Sequence, residues 1–244
     1  MCYRYSVPGP DVVKKTFQVK LGTKFERRYH VGAFENVKLP VIPNENPKQI
    51  KLFSWGLIPF WVKDEKTASD IKQRTVNARS ETIFEKPAFR GSAGRKHCLV
   101  IADGFFEWRY YQGKNYPYYI RLKEREAFAM AGLWDCWNNK TTGEQVYSYT
   151  IITTEANPLM AKIHNKKKRM PAILNKEDEE IWSSPNIDKE TTINLLKPFN
   201  EEEMDAYTIS KLITAKGEDP NVPAVLKPFQ YNTLEPLSNQ SSLF

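Results

Sequence analysis

HCLVIADGFFEW, residues 97–108, decides the fold. Its β-branched and aromatic residues read as extended chain, and the runs that follow it repeat the same composition. They are YPYYIRL (116–122), EAFAMAGLWDCW (126–137) and QVYSYTIITTEA (145–156). Glu124, Arg125 and Glu126 mark one turn between them, and Asn138, Asn139 and Lys140 mark another. Upstream, KLFSWGLIPFW (51–61) reads as a strand running into an aromatic-rich turn. KLPVIPNENPKQI (38–50), with three prolines, reads as a crossing loop. Residues 67–90 read as helix or loop. Short helices are expected over 157–163, 175–183 and 188–196, the second capped by Asn175, with acids in its first turn where the helix dipole favours them. A last strand, AYTIS (206–210), precedes a Pro-rich tail that is expected to pack loosely or to extend. The expected class is α+β: a β-rich, barrel-like antiparallel core with flanking short helices. A single domain over residues 1–244 is expected, its core at about 1–215 and its tail at about 216–244.

A chain of 244 residues is long enough for a substantial core. No apolar run approaches the ~20 residues that span a bilayer, and the first residues lack the apolar stretch of a signal peptide. No membrane partner is therefore expected, and a cytoplasmic location is. Cys2, Cys98 and Cys136 form neither a paired framework nor a zinc-ligand spacing. With only His30, His97 and His164 besides, no metal and no cofactor is expected. Charge is uneven along the chain. Residues 1–170 hold 30 Lys and Arg against 16 Asp and Glu, whereas residues 171–244 hold 6 against 13. The basic part suits a polyanionic partner, of which nucleic acid is the commonest, although a solvated lysine-rich surface has the same composition.

Four stretches place polar or titratable residues among apolar or small neighbours: MCYR (1–4), VNARSET (76–82), DGFFEW (103–108) and IHNKKKRMP (163–171). Cys2 follows the initiator methionine directly. If Met1 is trimmed, Cys2 carries an α-amine and a thiol on one residue, groups that titrate near ~8 and ~8.5 and are both partly nucleophilic at neutral pH. Singly, each stretch has an ordinary structural reading: Asn77 as a turn residue, Glu107 as a water-facing strand residue, His164 as a surface histidine.

Together the motifs resemble one family. MC-x-R, N-A-R-x-E-T, G-F-F-E-W and H-…-R-M-P, in that order and with WGLIPFW between the first two, look like the SOS-response-associated peptidase (SRAP) family over roughly residues 1–215. The resemblance implies a protein that shields abasic sites in single-stranded DNA by covalent crosslinking, working as a monomer and associated with the nucleoid when bound to DNA. It places the catalytic cysteine at Cys2, the asparagine at Asn77, the glutamate at Glu107 and the histidine at His164. It implies DNA contacts by Arg4, Arg79 and Arg169, and places Trp55 and Trp61 against unstacked bases. Three positions depart from the family pattern. Tyr3 stands where a small residue is common, and His30 takes an asparagine position in RYHVGAF. HNKKKRMP puts four residues, three of them lysines, between His164 and Arg169, an insertion that bears on where His164 sits.

The implied chemistry is a Schiff base between the α-amine of Cys2 and the open-chain aldehyde of the lesion, closed by the thiol into a thiazolidine. The same residues suit a second reading, an N-terminal-nucleophile hydrolase that removes Met1 or cleaves another amide. The basic surplus and the aromatic loop favour DNA. A non-catalytic single-strand binding module would leave Cys2 and Glu107 without a purpose.

Overall fold

The computed structural model describes residues 2–237. HCLVIADGFFEW is two strands rather than one, and the break between them organises the molecule. β6 (His97–Ala102) and β7 (Gly104–Tyr111) lie in different sheets, separated by Asp103. Gly104 allows this corner to pack closely, because a Cβ there would lie 2.2 Å from Cζ of Tyr119. Asp103 is tied on both sides of the corner. It accepts a hydrogen bond from Ser6 Oγ at 2.5 Å and pairs with Arg27 at 2.7 Å.

The first sheet runs in the order β12–β8–β7–β1–β2. It is built from β1 (Arg4–Val7), β2 (Arg28–Gly32), β7, β8 (Lys114–Leu122) and β12 (Met204–Thr208). The second closes on itself through β10 (Gln145–Glu155), β4 (Lys51–Trp55), β3 (Lys38–Pro43), β6 and β9 (Phe128–Asn138), since β9 also pairs with β10. Two short strands, β5 (Asn77–Arg79) and β11 (Arg169–Pro171), pair with the end of β10. The helices are α1 (Pro10–Phe17), α2 (Glu65–Arg74), α3 (Pro158–Ile163), α4 (Asp178–Trp182) and α5 (Lys189–Leu195). The barrel-like α+β expectation holds. None of these helices is long and apolar enough to cross a membrane.

The alternation of strand side chains divides the core in two. Leu39, Val41, Phe53, Val100, Met130 and Tyr149 of the barrel meet Tyr5, Val7, Phe105 and Tyr118 of the first sheet. On the opposite face, Ile42, Leu99, Ile101, Ala129 and Ile152 pack with Trp182 of α4. A polar contact crosses the first of these interfaces at depth: the hydroxyls of Tyr5 and Tyr149 share a hydrogen bond at 2.7 Å, both rings fully buried.

Three expectations are corrected. The three-proline stretch is not all loop. Pro40 and Pro43 each forfeit a ladder donor, yet Leu39, Val41 and Ile42 are buried and pair with β4 and β6. Asn175 does not cap a helix starting beside it; α4 begins at Asp178 after Glu177, and Asn175 instead donates to the Asp178 carboxylate. The described part of the tail is packed rather than loose. Phe229 N–H donates to Thr208 at 2.9 Å, Tyr231 Oη donates to Ile209 O at 2.9 Å, and Leu237 is buried in the core that holds Cys2.

Tyr149→Phe strands the buried Tyr5 hydroxyl and is expected to destabilise the protein by about 1–3 kcal/mol. The Tyr5→Phe/Tyr149→Phe pair removes both hydroxyls and is expected to cost less than the sum of the single changes. Urea unfolding of the three variants measures the coupling.

Candidate functional site

The motifs converge because two of them hang on one strand. β10 carries β5 on one edge, pairing Asn77 with Ile151 and Arg79 with Thr153. On the other it carries β11, pairing Arg169 with Glu155 and Pro171 with Thr153. The chain then leaves β10 into α3, capped by Asn157, whose side chain accepts from Met160 N–H at 2.8 Å. His164 follows at the C-terminal end of α3. The first sheet brings the other pair, with Cys2 ahead of β1 and Glu107 on β7.

Cys2 is fully buried, and its Sγ contacts the Arg4 carbonyl at 3.6 Å. Asn77 Nδ2 donates to the Cys2 carbonyl at 2.8 Å, joining the two sheets at the N-terminus. The other amide atom, Asn77 Oδ1, is buried and accepts no hydrogen bond among the described residues. His164 Nε2 lies 3.8 Å from Glu107 Oε2, and its Nδ1 is 2.8 Å from the Arg169 carbonyl. Cys2, Asn77, Glu107 and His164 are thus brought together.

Burial controls the protons here. Desolvation pushes the Cys2 thiol up to about 12, reinforced by the Glu107 charge. It pushes the Glu107 carboxyl up to about 7, although Lys167 pulls the other way. Desolvation also depresses His164 to about 4. At neutral pH the site therefore holds an un-ionised thiol, a neutral imidazole and a carboxyl balanced between its two forms.

The lysine insertion does not displace His164. The N–H groups of Lys167 and Lys168 close a turn onto the His164 carbonyl at 3.2 and 2.8 Å, with Lys168 in the left-handed region at φ 48°. Asn165 clips that turn to β7. It accepts from Tyr110 N–H at 3.1 Å and donates to Tyr110 O at 2.8 Å, while Lys166 Nζ lies 3.6 Å from the Tyr110 ring centre. The strand that carries Glu107 thereby holds the turn that carries His164.

The expected DNA contacts divide. Arg79 is exposed one turn of strand from Asn77, and Trp61 is 45% exposed. Trp55 is a core residue at 1% exposure; its indole donates to the Val76 carbonyl at 2.8 Å and its ring meets Tyr5 edge-on, so it has no face left for a base. The exposed partner of Trp61 is Phe60, at 62%, which sequence reasoning passed over although it stands in the same aromatic run. Arg169 is 8% exposed and spent internally, paired with Glu81 and donating to the Thr153 carbonyl at 2.6 Å. Tyr5 pairs with Phe105 in the β1–β7 ladder, so strand alternation puts Arg4 on the face away from Phe105 and Glu107, with its guanidinium carbon 5.2 Å from the Trp108 ring centre. Asn165 was also missed, its only signal being its place in the insertion. Among the described residues, no group of three His, Cys, Asp or Glu side chains is placed to hold a metal.

Asn165→Ala removes both bonds to Tyr110 and should expose the His164 ring. The His164 pKa is then expected to rise from about 4 toward the usual 6.5, read from an NMR titration of the three histidines.

Comparison with known proteins agrees with this geometry. Residues 1–216 match the family described as SOS response associated peptidase (SRAP). The chain is 39% identical over 202 residues to abasic site processing protein YoqW of Bacillus subtilis, covering 82% of this chain and 86% of that one. It is 38% identical over 142 residues to abasic site processing protein HMCES of Xenopus tropicalis, covering 51% of this chain and 41% of the other. A crystal structure of a protein from Bacteroides thetaiotaomicron superposes with a TM-score of 0.86 at 39% identity, covering 94% of this chain and all of that one. With its motifs, its fold and its relatives in agreement, the chain belongs to the SRAP family.

Proposed function

We propose that this protein senses abasic sites in single-stranded DNA and shields them by a covalent link through Cys2. The observation that carries the reading is the 2.8 Å hydrogen bond from Asn77 to the Cys2 carbonyl, beside the Glu107–His164 pair. Loss of Met1, which lies outside the described residues, would turn the Cys2 nitrogen into a primary amine. That amine adds to the lesion aldehyde and loses one water to give an imine. The thiol sulfur then adds to the imine carbon while its proton passes to nitrogen, closing a five-membered thiazolidine. Ring closure removes the imine that strand elimination requires, so the DNA stays intact.

A thiol with a pKa of about 12 is a poor thiolate donor, which suits attack on an activated imine better than attack on an amide. Glu107, near its midpoint at neutral pH, is suited to take the thiol proton and return it. Neutral His164 is placed to assist opening of the sugar ring. The unsatisfied Oδ1 of Asn77 is an acceptor for the new α-amine. Arg79 contacts phosphate, Trp61 and Phe60 stack on bases, and the protein acts as a monomer. The peptidase reading, extended to self-removal of Met1, uses the same groups on an amide and is separated by the first experiment below.

On a denaturing gel, Met1-free protein is expected to form a slow band only with an oligonucleotide carrying an abasic site, and Cys2→Ala is expected to form none. Absence of the band in protein shown by mass to lack Met1 would sink the proposal and leave the amide reading.

Glu107→Gln is expected to slow band formation by about 10²–10⁴-fold. It should also change stability with a definite sign. The folded pKa of about 7 lies above the unfolded value of ~4.3. The favourable neutral form is thus fully present below ~4.3, and its contribution is lost as pH rises through 7. Urea unfolding should therefore find Glu107→Gln more stable than wild type at pH 8, with the difference closing by pH 4.5.

A further inference from the structure

Arg4 has no role in the reading above, because its side chain is on the outer face of the first sheet. A cavity of about 640 Å³ lies there, lined by Arg4, Trp108, Lys114, Asn115, Lys211 and Thr214 together with Pro117. The three cations come from separate places: Arg4 from β1, Lys114 from the start of β8, and Lys211 from the 3-10 turn of residues 211–214 that follows β12. No carboxylate lines the cavity. Among the described residues, no carboxylate oxygen comes within 4.0 Å of the Arg4 guanidinium. Glu35 and Glu107 act on it only from farther away.

The guanidinium is half-buried, and its Nε is buried with no hydrogen-bond partner. A partly desolvated cation with an unmet donor is costly unless an anion completes it. The guanidinium carbon lies 5.2 Å from the centre of the Trp108 ring, and a guanidinium suits the fork-like contact that arginine makes to oxyanions. The Asn115 amide and the Thr214 hydroxyl add neutral hydrogen-bonding groups at the rim.

We propose that this cavity is a phosphate-binding site, in which Arg4, Lys114 and Lys211 hold one phosphate group behind the sheet that carries Glu107. The group can come from the backbone of a bound DNA strand or from free phosphate. The strand as source rests on the DNA reading above; the site itself does not.

The test compares wild type, Lys114→Ala/Lys211→Ala and a charge-matched control, Lys48→Ala/Lys140→Ala. Lys114 and Lys211 are exposed, so melting temperatures without phosphate should agree and show that all three fold. In the first arm, 10 mM inorganic phosphate replaces chloride at constant ionic strength. It is expected to raise the melting temperature of wild type and control by about 1–3 °C, and not that of the pocket variant. In the second arm, binding of undamaged single-stranded DNA is measured against salt. At ~0.7 per phosphate contact on single strands, removing the contact should flatten the log–log slope of the pocket variant by about 0.7 relative to the control. A thermal shift lost without a slope change supports the site with free phosphate as ligand, and a slope change supports it with the strand as ligand. If wild type binds no DNA, the DNA reading fails and the first arm decides alone. If the pocket variant behaves as the control does in every response that wild type gives, or if wild type gives neither response, the proposal is overturned.

Discussion

Half of the site is suspended from the backbone ladder at the end of β10, and the other half must be brought to it. Residues 151–153 pair on one edge with the strand that carries Asn77 and Arg79, and residues 153–155 pair on the other with the strand that carries Arg169. Backbone pairing fixes register to a single residue, and a slip of one would turn Asn77 away from Cys2. The first sheet then needs one further tie, which the Asn77 amide makes across the gap. A side chain so placed owes its position to main-chain geometry more than to its own rotamer.

The second organising constraint is dryness. Cys2, Glu107 and His164 are all shifted toward their uncharged forms, and in each the dominant cause is removal of water. At neutral pH the site therefore holds an un-ionised thiol and a neutral imidazole beside a carboxyl near its midpoint.

The sequence made much of this legible, for identifiable reasons. Strands were readable because β-branched and aromatic residues cluster where both faces are buried, and the four site residues because their motifs recur in a fixed order. What stayed hidden was direction. Nothing in WGLIPFW says that Trp55 faces the core while Phe60 and Trp61 face solvent; the turn that separates them decides it. Nothing in MCYR shows that Arg4 projects to the face opposite Glu107, since strand alternation becomes informative only once the sheet's two sides are known. The prolines of residues 38–50 hid β3, because a lost donor is tolerated where the buried apolar alternation is strong. The tail defeated reading for the same reason: a few well-spaced residues, Tyr231, Leu234 and Leu237, pack it on the core despite a loop-like composition.

The depth of Cys2 carries one more consequence. Oxidants and alkylating agents act on cysteine mainly as the exposed thiolate, and this sulfur is neither exposed nor ionised. A thiol so held is kept chemically silent toward the small electrophiles and peroxides of its surroundings.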